Sequence, residues 1–114
     1  MQLMVIILKK TEMLDALLTK FAEIGVTGAT ILDSTGMASE LAANHSDDIY
    51  FLGTLRAMMN PERERSKTIL CCVEDEQISV MKAIVNKVVG DLTEPNTGIL
   101  FTMPITNIYG GCFK

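Results

Sequence analysis

The order strand, helix, strand is written twice in this chain, and that duplication most narrows what the chain can fold into. An apolar run at residues 3–8 leads into a helical pattern over 12–24 and a second strand over 27–33. The same order returns at 68–73, 76–89 and 98–104. Two such units predict an α+β chain. The expected form is a ferredoxin-like split βαβ sandwich, in which a four-stranded antiparallel sheet carries two helices on one face. Between the repeats lies an insert, 34–67, far longer than an ordinary loop. The reading is one domain over 1–114, with the insert as the place where function sits.

Leu3-Met4-Val5-Ile6-Ile7-Leu8 is apolar at both parities, and so is Thr68-Ile69-Leu70-Cys71-Cys72-Val73 apart from its first residue. Strands of that kind are buried on both faces and belong at the centre of a sheet. With both helices on one face, the other face carries Leu, Ile, Met and Cys side chains towards water. A monomer rarely tolerates an apolar patch of several hundred square ångströms, which predicts a homo-oligomer packed sheet to sheet. In the first helical pattern Met13, Leu14, Leu17, Leu18, Phe21 and Ile24 share one face, Thr11 is the expected N-cap and Gly25 the stop. In the second, Ile78, Met81, Ile84, Val85 and Val88 face inward, Asp75 and Glu76 sit at the positive end of the dipole, and Gly90 ends the helix.

The net charge of −4 argues against nucleic acid, whose phosphates need a basic patch. No segment is long and apolar enough to span a bilayer, and the run before Lys9 and Lys10 is too short for a secretory signal. Cys71 and Cys72 are strand neighbours pointing to opposite faces, so they do not pair with each other. With Cys112 they make three cysteines, an odd count without Cys-x-x-Cys spacing. Such thiols read as core residues of a protein in a reducing, cytoplasmic setting.

Catalysis has little to stand on. The single histidine, His45, lies in the insert beside Asp47 and Asp48, and a lone loop histidine is ordinarily neither a metal ligand nor a base. No nucleophile elbow, phosphate loop with its lysine or paired-histidine metal motif is present. The expectation is therefore a protein that is not an enzyme and has no metal site. Within the insert, 37–44 is alanine-rich and suits a short helix. Residues 47–60 set Ile49, Leu52, Leu55 and Met59 on one helical stripe, and Met58 and Met59 offer an adaptable contact surface. The turn 90–98 has glycine at both ends, which lets backbone approach a ligand, and Thr93, Asn96 and Thr97 can donate hydrogen bonds. The competing reading is an ordinary helix–strand loop stiffened by Pro95.

Taken in order, Gly25-Val26-Thr27-Gly28-Ala29-Thr30, then Gly36, then Cys72-Val73-Glu74-Asp75-Glu76, then Gly98-Ile99-Leu100-Phe101-Thr102-Met103-Pro104-Ile105 resembles the P-II nitrogen-regulatory signalling proteins. The resemblance runs over both repeats and places the long loop correctly. It implies a ferredoxin-like trimer that binds an adenine nucleotide in clefts between subunits and regulates a transporter, enzyme or regulator through its long T-loop. Carried over residue by residue, Thr30 takes the adenine-contacting position. Leu8 supplies an apolar wall, Gly36 and Met37 open the T-loop, and Gly90, Thr97 and Gly98 bound the phosphate-cradling turn. Tyr50, Phe51, Arg56, Met58 and Met59 fall on the partner-docking part of the loop.

The departures concern charge. The lysines of the family's phosphate turn are missing here, and Asp91, Glu94 and Pro95 stand in their place. Two carboxylates against a triphosphate repel, and proline offers no amide hydrogen. The family's arginine-bearing tail is replaced by Asn107-Ile108-Tyr109-Gly110-Gly111-Cys112-Phe113-Lys114. These changes point away from ATP with oxoglutarate and towards a less charged effector: AMP, ADP, a cyclic nucleotide or bicarbonate. Arg56, Arg63, Arg65 and Lys67 are its candidate cations. The alternatives are a ligand-free structural or interaction trimer and, further off, a small ferredoxin-like enzyme.

Overall fold

The computed structural model describes residues 1–44 and 65–111. Those residues form β1 (Gln2–Leu8), a 3-10 turn (Thr11–Met13), α1 (Leu14–Glu23), β2 (Ala29–Thr35), α2 (Met37–Asn44), β3 (Arg65–Val73), α3 (Asp75–Val88) and β4 (Gly98–Pro104). The sheet order is β2-β3-β1-β4 and every neighbouring pair is antiparallel. Each repeat therefore leaves a one-strand gap that the other repeat's first strand fills. The chain is α+β, with an arrangement compatible with the expected sandwich.

The two central strands are the ones that are apolar at both parities. Met4, Ile6 and Leu8 from β1 join Ile69, Cys71 and Val73 from β3 on the helix-bearing face, where Leu17 and Phe21 of α1 and Met81 and Val85 of α3 close the core. The register sets Met4 opposite Cys71 and Ile6 opposite Ile69. Burying each such side chain stabilises the fold by roughly 1.5–3 kcal/mol. On the opposite face the register aligns Leu3 with Cys72 and Met103, Val5 with Leu70 and Phe101, and Ile7 with Thr68 and Ile99. At the centre of that face Val5 is 7% exposed, whereas towards the β4 edge Ile99 is 54% and Met103 43% exposed.

Local signals explain most boundaries. Gly25 has φ +88°, and its N–H returns to the Ala22 carbonyl while that of Val26 returns to Phe21, a Schellman stop to α1. That stop carries the chain through residue 28, so β2 begins two residues later than the apolar pattern suggests and ends at Thr35. Thr11 is not the cap of α1: it opens the 3-10 turn, and the α1 N-cap position falls on Met13 without a side-chain bond. α3 starts at Asp75 because Gln77 Oε1 accepts the Glu74 N–H at 2.9 Å while the Gln77 N–H returns to the Glu74 carbonyl at 3.0 Å. β3 extends back to Arg65, since its polar start pairs with Asp33, Ser34 and Thr35. The alanine-rich helix over 37–44 and the last strand both fall where the sequence puts them. The helical stripe at 47–60, with His45, Tyr50, Phe51, Arg56, Met58 and Met59, lies outside the described residues, as does Cys112.

Gly98 shows how tightly β4 is drawn onto β1. A Cβ there would lie 2.7 Å from the Ile7 carbonyl oxygen, a backbone atom that cannot step aside. Gly98→Ala is expected to destabilise the chain by about 2 kcal/mol, the scale of a forced overpacking. Urea unfolding followed by circular dichroism measures it, and an unchanged midpoint would contradict the close approach.

Candidate functional site

The end of β1 is where the chain brings its glycine-bearing turns together. Leu8 pairs with Lys67 on β3 and with Gly98 on β4. Beyond it the N–H groups of Lys9 and Lys10 both donate to the Thr97 carbonyl, at 3.0 and 3.2 Å. The Lys10 ammonium donates to the Val89 carbonyl at 3.1 Å, which neutralises the negative end of α3. A Cβ built on Gly36 would sit 3.1 Å from Lys9 Nζ, and one on Gly90 would sit 3.7 Å from Lys10 Nζ. Leu8, Gly36, Met37, Gly90, Thr97 and Gly98 therefore share one corner of the molecule.

Their roles there differ from what the sequence suggests. The Leu8 side chain is wholly buried in the core, so it provides no cleft wall in a single chain; only its backbone reaches the corner. Met37 is exposed. Thr97 is 3% exposed and its hydroxyl donates to the Glu94 carbonyl at 2.7 Å, so it offers no free donor. Thr93 donates from both its N–H and its hydroxyl to Asp91 Oδ1, at 2.9 and 2.7 Å. Those two bonds hold the Asp91 carboxyl below the usual carboxylate range, hydroxyl first and amide second. The turn is thus closed on itself and negatively charged. Its residues do not fit a polyphosphate.

Thr30 stands apart, exposed on the open sheet face opposite Leu70. It lines an open pocket of about 920 Å³ with Leu3, the 25–29 segment, Leu70, Cys72, Glu74 and Gln77. Leu3, Leu70 and Cys72 give this pocket an apolar floor. A smaller hollow of about 410 Å³ lies at the base of the insert, between Thr11, Asp33, Thr35, Arg65 and Lys67. There the hydroxyls of Ser34 and Ser66 share a hydrogen bond of 2.7 Å, and Ser34 reaches Thr68 at 2.8 Å. Lys67 donates to Asp33, and this hydrogen bond, more than the charge itself, holds the Asp33 carboxyl below its ordinary value. Of the candidate cations, then, Lys67 is already paired and Arg65 is exposed, while Arg56 and Arg63 lie outside the described residues.

Sequence reasoning missed Lys9 and Lys10. They followed an apolar run and served only to argue against a signal segment. The available signal was their place immediately after a central strand, where a chain must turn over the sheet edge. The expectation for the cysteines holds for Cys71, which is buried on the helix face, but Cys72 faces the pocket on the other side. Burial pushes the Cys71 thiol up to about 11, with a smaller push from Cys72. No protein-family model matches this sequence, and no curated protein is significantly similar to it.

This difference between neighbours has a direct readout. In a single chain, with the open sheet face kept uncovered by the charge of a Phe101→Glu substitution, iodoacetamide at pH 8 should alkylate Cys72 well before Cys71 on peptide mapping, because the thiolate is the nucleophile and Cys71 holds its proton. Equal rates in the folded protein would contradict the assigned faces.

Proposed function

We propose that this chain is a P-II-like regulatory protein of the cytoplasm: a homotrimer of ferredoxin-like split βαβ subunits packed sheet to sheet. A small effector, an adenine nucleotide of low charge, binds where copies meet at the corner of Gly36, Gly90 and Gly98. By favouring one arrangement of the insert it changes the docking of a protein partner. The observation that carries the reading is the open sheet face. Leu3, Val5, Ile7, Leu70, Cys72, Ile99, Phe101 and Met103 form one continuous apolar surface across three strands, with Leu32 beyond them on β2. A surface of that extent is stable when it is covered, and copies of the same chain are the partner always at hand. The sheet order, the long connection between β2 and β3 and the gathering of the glycine turns at one corner support the same reading.

A second reading draws on the closed turn. Because Thr93 and Thr97 use their hydroxyls internally, the trimer could dock its partner with no effector at all. Hydrogen exchange over 36–64 separates the two: protection that changes on adding AMP favours the sensor, and protection that does not favours the constitutive module.

The assembly itself is the first test. Multi-angle light scattering at micromolar concentration should give three times the chain mass of 12.5 kDa. Phe101→Glu should shift it to the monomer mass, since an unpaired charge in a dry interface costs several kcal/mol. A monomeric wild-type protein would remove the basis of the proposal.

A further inference from the structure

We infer that Lys9 is the anion-binding group of the corner site and that the effector carries its phosphate there, an assignment that rests on the effector reading above. Lys9 is half-buried, and among the described residues its ammonium has neither a hydrogen bond nor an ion pair. Lys82 and Lys87, on α3, also lack partners among the described residues; what sets Lys9 apart is the place of its ammonium beside Gly36. Among the described residues no carboxylate is bonded to it. Asp33 is taken by Lys67, Asp91 by Thr93, and Glu40 accepts from the Thr35 hydroxyl at 2.9 Å.

The position of the ammonium matters as much as its lack of a partner. It lies over Gly36, the residue at which the chain leaves β2 for α2, with 3.1 Å to the site a Cβ would fill. A side chain on residue 36 would crowd the ammonium, and glycine leaves it accessible from that side. Lys10, on the adjacent residue, adds a second positive charge, tied down at Val89 and so fixed in place. The positive charge that the 90–98 turn lacks is thus supplied from the opposite wall, by the end of β1. One ammonium with a second at longer range suits a monophosphate or diphosphate better than a triphosphate beside Asp91 and Glu94.

Isothermal titration of the trimeric protein with AMP, adenosine and inorganic pyrophosphate tests the assignment. AMP should bind the wild-type chain more tightly than adenosine, and pyrophosphate should compete with it. Lys9→Gln should weaken AMP about tenfold or more while leaving adenosine unchanged, and Lys9→Arg should recover most of the loss. Lys82→Gln controls for net charge and should have no effect. Light scattering on each variant confirms assembly. Unchanged AMP affinity in Lys9→Gln overturns the role of Lys9 and leaves the effector reading standing. Failure of AMP and pyrophosphate to bind the wild-type trimer overturns both.

Discussion

Pairing of β1 with β3 is the constraint on which the rest depends. Each strand is apolar at both parities, so neither can lie at a sheet edge or show one face to water at no cost. Setting them side by side, antiparallel and in register from Gln2–Val73 to Leu8–Lys67, gives the helices one continuous apolar surface to cover. Leu17 and Phe21 of α1 and Met81 and Val85 of α3 cover its centre, with Val26 and Val89 closing it beyond the helix ends. The same pairing also creates the opposite surface, because alternate side chains must go somewhere. The open face is a consequence of building the core from doubly apolar strands, and any account of this chain must say what lies on it.

This explains which parts of the fold were legible. Strand order and the choice of central strands follow from apolarity at both parities, a signal carried by side chains alone. Gly25 was legible because a helix stop of that kind needs the left-handed conformation glycine adopts freely. Boundaries set by polar contacts were not. β3 begins three residues before its apolar run because Ser66 reaches Ser34 and Lys67 reaches Asp33 across the ladder, contacts between residues more than thirty positions apart. The start of α3 depends on Gln77 folding back onto Glu74, and glutamate is a weak cap by type, so its sequence signal is faint.

The candidate site divides in the same way. Glycines are conspicuous in a sequence, and those of three turns do meet at one corner, yet their reasons differ. Gly98 is explained by the approach of β4 to the Ile7 carbonyl, a requirement of the fold that would hold with no ligand. Gly36 faces a side chain that can move, so its glycine is not demanded by packing in the same sense. Lys9 carried no motif. It becomes conspicuous only once the strand ladder brings residues 9, 36, 67, 90 and 97 to one corner, and that proximity has no trace in local sequence.

The corner also constrains how a signal could leave it. Thr35 and Arg65 are paired across the ladder, so both ends of the long connection are held by the sheet itself. The Ser34–Ser66–Thr68 hydroxyls and the Asp33–Lys67 pair tighten that grip within three residues of its mouth. An effector at Gly36 therefore cannot act by shifting the strands, whose pairing would resist it. On the proposed reading it would act by binding one arrangement of the chain beyond Thr35 more tightly than another, and the shift would equal that difference in affinity and no more. A single ammonium over the first residue past the strand is well placed for this. It is held by a strand end, and the backbone it faces is the carbonyl-bearing start of α2, where Gly36 accepts from the Glu40 N–H at 3.1 Å.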